Sequence, residues 1–104
     1  MKVFFSEEAI DDLVDLDGFL SVSESPERAD AIVSGIQEAC RKLGKFPDQG
    51  HVPPELDGYK TPYREVCFKV WRIIYRVDSK RLYIFAVVDS RRDMQAFLER
   101  RLLR

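Results

Sequence analysis

A chain of 104 residues, 45% hydrophobic and 34% charged, suffices for one self-supporting core and is short for two, so residues 1–104 are expected to form a single domain. These proportions exclude a disordered, collagen-like or disulfide-stapled protein. The formal charge of −1 hides a division, because residues 1–58 carry 5 Lys/Arg against 13 Asp/Glu and residues 59–104 carry 12 against 5.

The two cysteines, Cys40 and Cys67, lack the paired spacing of a zinc site and read as reduced, buried thiols. The amino terminus turns acidic after five residues, unlike a signal peptide, and the longest apolar run, LYIFAVV, is too short to span a bilayer. A cytoplasmic protein with no membrane partner, metal or cofactor is expected.

In chain order, KVFF reads as a first strand. Ser6 is placed to cap a helix with Glu7 and Glu8 in its first turn, where acids complement the macrodipole, and with Ala9, Leu13, Leu16 and Leu20 on one stripe. SPER signals the next helix, with Ser25 as cap and Pro26 at its first position. Its stripe is Ala29, Val33, Ile36, Cys40 and Leu43, and Gly44 is the expected stop. The short connection between the two helices predicts an antiparallel helical hairpin.

From Gly44 to Pro62 the chain holds four of its five prolines and three of its five glycines, and a loop of that length is frequently functional. Strands are predicted at 63–68, 70–77 and 82–88. The last is apolar on both faces and is therefore placed centrally, in the order 1-4-3-2 with antiparallel pairing. Ser90 and Asp93 match an S-x-x-D capping pattern ahead of a helix with Met94, Phe97, Leu98 and Leu102 on one side. The expected fold class is α+β: an antiparallel four-stranded sheet with a helical hairpin on one face and a C-terminal helix, in the order β-α-α-β-β-β-α.

Strand alternation puts Trp71, Ile73, Tyr75 and Val77 on one face and Val70, Arg72, Ile74 and Arg76 on the other. The aromatic face is assigned to the helices, which leaves the arginine face open to solvent. With Arg64, Lys69, Arg91 and Arg92 at its rim it forms a basic patch, and guanidinium groups suit phosphate because their planar donors bind two oxygens at once. Arg64, Lys69, Arg72, Arg76 and Arg92 are thus candidate nucleic-acid contacts; the alternatives are an acidic polypeptide, or pairing with Glu65, Asp78 and Asp89. On this reading Arg72→Ala removes activity with little change in folding.

The element order, the loop GHVPPEL, the phrase WRIIYRVD and the ending VVDSRRDMQAFLERRLL together resemble the RelE/ParE toxins of bacterial type II toxin–antitoxin systems. The resemblance implies a cognate antitoxin whose acidic segment wraps the toxin. It also implies one of two targets, since RelE-like branches cut mRNA in the ribosomal A site and ParE-like branches poison DNA gyrase without nuclease activity. By its pattern Arg72 would touch the scissile phosphate and Arg91 would assist.

The proton donors of the cutting branches are missing, because Phe97 stands where one has tyrosine and Leu103-Arg104 where another has His-Tyr. Cleavage by the 2′-hydroxyl needs a base and an acid as well as cations, for which Glu55, Lys69 and His51 are the candidates. Each also has a structural reading, as a solvated or arginine-paired carboxylate or a loop hydrogen-bonding residue. A ribosome-dependent endoribonuclease acting on ribosome and mRNA is the leading expectation, with a gyrase inhibitor and a non-catalytic antitoxin-binding module as alternatives.

Overall fold

The computed structural model describes residues 1–102. Strand β1 (Lys2–Phe5) leads into helices α1 (Glu7–Ser23) and α2 (Pro26–Lys45). A 3-10 turn (Pro54–Leu56) interrupts the long loop, and β2 (Tyr63–Phe68), β3 (Trp71–Asp78), β4 (Arg81–Asp89) and α3 (Met94–Leu102) follow. The caps predicted for α1 and α2 form: Ser6 Oγ accepts from the Ala9 N–H and Ser25 Oγ from the Arg28 N–H, each at 3.1 Å. Gly44 does not stop α2, which runs one residue further. It marks a close approach instead, since a Cβ there would lie 2.6 Å from the Met1 carbonyl oxygen, and the Met1 amino group donates to the Gly44 carbonyl at 2.7 Å. At α3 the cap is Asp93, whose Oδ1 accepts from Ala96 N–H, whereas Ser90 donates its backbone N–H to Val70.

The sheet order is β1-β4-β3-β2, as expected. The pairing is not purely antiparallel: β1 and β4 run parallel, with Lys2 to Phe5 opposite Arg81 to Ile84. The reason lies in the helical hairpin, which leaves from the Phe5 end of β1 and returns to the Met1 end, so β2 starts at the end where β1 started. Two hairpins then reverse the chain twice and deliver β4 in the direction of β1. A β-bulge between the Ile74–Ala86 and Tyr75–Ile84 pairs leaves Phe85 as the extra residue on β4.

Two apolar clusters sandwich the sheet. The first joins Ala9, Leu13, Leu20, Ala29, Ile32, Ile36, Cys40 and Leu43 of the helical hairpin to Ile73, Tyr75, Leu82 and Ile84, with Trp71 and Val77 at its margin. The second lies on the opposite face, where Ile74, Ala86 and Val88 meet Leu56 of the 3-10 turn and Met94, Phe97 and Leu98 of α3. The expectation of an uncovered arginine face is therefore corrected. At roughly 1.5–3 kcal/mol per large apolar side chain removed from water, the stripe of α3 is stabilised by docking onto the apolar residues that alternate with the arginines. No helix among the described residues is long and apolar enough to cross a membrane.

Candidate functional site

Arg72 lies under the Pro-rich loop and is only 8% exposed. Its Nε donates to Glu65 Oε1 at 2.7 Å, while Nη1 and Nη2 donate to the two carboxylate oxygens of Glu55 at 2.9 and 2.6 Å. Glu65 comes from the neighbouring strand, where it faces Ile74 and so sits diagonally across from Arg72. It is 4% exposed. Glu55 arrives on the 3-10 turn, whose start is stiffened by Pro53 and Pro54.

His51 completes the cluster. Its backbone forms an isolated antiparallel bridge with Glu65, through His51 N to Glu65 O at 3.1 Å and Glu65 N to His51 O at 2.7 Å. Its Nε2 stands 3.0 Å from Glu65 Oε2, and because a carboxylate only accepts, that nitrogen carries the proton. The loop is held further by Tyr75, whose hydroxyl donates to the Pro47 carbonyl at 2.7 Å and accepts from Gly50 N–H at 2.9 Å, and by Arg64, which donates to the Gly50 carbonyl at 2.7 Å. Burial raises the Tyr75 hydroxyl pKa above its ordinary value.

The electrostatics follow from two carboxylates closing on one guanidinium. Hydrogen bonding from Arg72 lowers the Glu55 carboxyl below its usual range, and the same bonds, with those from Glu65, raise Arg72 further above physiological pH. The cation is thus permanent but already neutralised. A buried arginine with five donors and two carboxylate partners is a satisfied structural pair before it is a phosphate site. This reverses the expectation that Arg72 could be removed at little cost to folding.

The remaining candidates are dispersed. Lys69 occupies the β2–β3 turn with φ of +52° and its ammonium 5.8 Å from the Phe68 ring centroid. Arg91 forms a two-point pair with its own neighbour, Asp89, at 3.0 and 2.6 Å, which raises Arg91 and lowers Asp89. Arg92 rests 4.9 Å from the Phe97 centroid, beside a cleft lined by Glu8, Asp12 and Asp15 of α1. Arg76 lies over Tyr63 and Phe85. Phe97, the position of the absent tyrosine, is buried in the second cluster; Leu103 and Arg104 lie outside the described residues.

Glu55 of the loop and Glu65 of β2 thus close on Arg72, and His51 joins the cluster through Glu65. Sequence reasoning had offered Glu65 only as one possible ion-pair partner, although a lone acid beside an arginine-bearing strand is a signal for a cross-strand pair. It missed the pair between Asp12 of α1 and Arg101 of α3, joined at 3.1 and 2.9 Å, altogether.

The family described as "ParE toxin of type II toxin-antitoxin system, parDE" matches residues 3–94, and the chain belongs to it. Among solved structures the chain is similar to one titled "Chromosomal ParDE TA system from P. aeruginosa", with a TM-score of 0.73 and 22% identity over 86% of this chain and 95% of that one. That likeness is one of fold. The comparison with curated proteins found no match.

Proposed function

We propose that this toxin of a type II toxin–antitoxin system acts in the ParE-like manner, by inhibiting DNA gyrase, and that it does not cut RNA. The observation that carries this reading is the enclosure of Arg72 between Glu55 and Glu65. A phosphoryl-transfer site needs a cation whose donors are open to the phosphate, and here all three donor nitrogens are spent on carboxylates. The base and acid candidates support the same conclusion, since Glu55 and His51 face the cluster and Lys69 sits on a turn. In the family resemblance, the branch without nuclease activity is the one that poisons gyrase, and a cognate antitoxin is the partner that holds it inactive.

The test is controlled expression with two parallel readouts. Trapped gyrase–DNA cleavage complexes and a DNA-damage response, with intact mRNA on ribosomes, are expected. Cuts in the ribosomal A site without gyrase trapping would overturn the reading. A ribosome-dependent nuclease would require Arg72 to leave Glu55, so Glu55→Gln should then increase cleavage; on the gyrase reading it creates none.

A further inference from the structure

Beyond the area roofed by α3 the same sheet face stays open, and one register row crosses all four strands there. Phe4 pairs with Tyr83, Tyr83 with Arg76, and Arg76 with Tyr63. The adjacent row brings together Lys2, Arg81 and Asp78. Phe4 and Tyr83 are stacked, with centroids 5.6 Å apart and planes at 28°, and Tyr63 meets Phe85 edge-on at 5.3 Å.

Cations lie over these rings. The guanidinium carbon of Arg81 is 5.7 Å from the Phe4 centroid, and that of Arg76 is 5.9 Å from Tyr63 and 5.2 Å from Phe85. Phe4 is 38% exposed and belongs to neither apolar cluster; nor do Tyr83 and Phe85, which are half-buried. Arg76 keeps 34% of its side chain open, and its carboxylate neighbour Asp78 is 3.9 Å away, beyond hydrogen-bond range. The Nε of Arg76 is buried with no hydrogen-bond partner among the described residues. The contrast with Arg72, each of whose three nitrogens donates to a carboxylate, is chemical: Arg76 is positioned by rings, and the carboxylate of Asp78 reaches it only at 3.9 Å.

We propose that this open half of the sheet binds single-stranded nucleic acid, with bases on the Phe4–Tyr83 platform and backbone phosphates on Arg76, Arg81 and Lys2. Every base has a π-face, so exposed rings take single strands of any sequence, and sheets that read RNA stack bases on aromatics of neighbouring strands. Cation–π contact holds the guanidinium groups in place before a phosphate arrives, which lowers the ordering cost of binding. An acidic polypeptide would satisfy the cations equally well but makes no use of a stacked aromatic pair, and the rings decide between the two. The site is separate from Arg72 and does not depend on which enzyme the toxin inhibits.

The experiment is fluorescence anisotropy of the full chain with a labelled 12-residue oligothymidylate, a duplex of equal length and a polyglutamate competitor. Oligothymidylate should bind in preference to the duplex, with a salt slope of about −2 for three phosphate contacts. Phe4→Leu and Tyr83→Leu should each weaken binding by about 10-fold or more, with the fold retained by circular dichroism. Arg76→Gln should reduce the slope by about 0.7, and Arg81→Gln, at an exposed position, gives the same readout should Arg76→Gln fail to fold. No binding at low salt, equal binding of the duplex, or wild-type affinity in the ring variants would each overturn the proposal. Polyglutamate binding as tightly as oligothymidylate, and unaffected by the ring variants, would assign the face to an acidic polypeptide instead.

Discussion

Asp12 on α1 accepts the backbone N–H of Val87 at 3.0 Å, although 75 residues separate them. Strand β1 ends opposite Ile84, so β4 beyond that point has an open edge on that side. Side chains take over from the missing strand. Asp12 receives Val87, and the Phe85 carbonyl accepts from Arg101 Nη1 at 2.9 Å and, at 3.4 Å, from the Ser6 hydroxyl. Arg101 also binds both oxygens of Asp12, at 3.1 and 2.9 Å, so one carboxylate closes the sheet edge and fastens α3 to α1.

Asp12→Ala is therefore expected to destabilise the fold by about 2 kcal/mol, because it leaves the enclosed Val87 N–H without its acceptor and takes one of two carboxylates from the largely buried Arg101 guanidinium, whose Nε keeps Glu8 at 2.8 Å. For a domain of this size that corresponds to a fall in Tm on the order of 10 °C. Asp12→Asn, which keeps an acceptor for Val87, should lose less. Equal melting temperatures for wild type and Asp12→Ala would show that the edge is satisfied without this residue.

Arg72→Ala should be more costly, about 3–5 kcal/mol, since it takes the cation from a buried Glu65 and leaves that carboxylate the His51 contact alone among the side chains described around it. The double change Arg72→Met with Glu65→Leu removes both charges and is expected to recover most of that loss. Denaturant unfolding measures both. If the single variant melts like wild type, the carboxylates do not depend on Arg72, and the cation would be available to other anions after all.

What could be read from the residues depended on sequence distance. LYIFAVV, apolar on both faces, placed β4 in the centre of the sheet, and the alternation of WRIIYRV sorted β3 onto its two faces. The same alternation held the correction: Ile74 between two arginines, with Ala86 and Val88 beside it, is an apolar strip that needs a cover, and Met94, Phe97 and Leu98 supply it. An arginine partner was foreseen for Glu55, but not that it is Arg72, and the Asp12–Arg101 pair was not legible, because these pairs join segments 17 and 89 residues apart and a Pro-rich loop has no periodicity from which to infer where it lies.

Acid should dismantle the loop anchor first. The Glu55 carboxyl is lowered by its hydrogen bonds to Arg72, so its contribution to stability is complete above its ordinary value of 4.5 and is lost as pH falls through the lowered value. Wild type is expected to exceed Glu55→Gln by about 1–2 kcal/mol at pH 7, a modest figure because Glu55 is partly exposed. Melting temperatures of the two should stay apart from pH 7 down to pH 5 and converge below pH 4.5. A gap that persists at pH 2–3 would trace the difference to packing, not to charge.

The cysteines offer a direct measure of how the hairpin opens. Both were expected to be buried, but only Cys40 is, because Cys67 faces out of β2. Burial pushes the Cys40 thiol up to about 12, which leaves on the order of 10⁻⁴ of it as thiolate at pH 8 even before access is considered. An aromatic disulfide reagent should therefore label one thiol rapidly in the native protein and the second slowly. Cys67→Ser should abolish the fast phase and keep the slow one. If the slow phase follows opening of the whole hairpin, Asp12→Ala, weaker by about 2 kcal/mol, should accelerate it roughly 30-fold, since each 1.4 kcal/mol is tenfold in population. An unchanged slow rate in that variant would mean that α2 opens locally, without releasing the contact between α1 and the edge of β4.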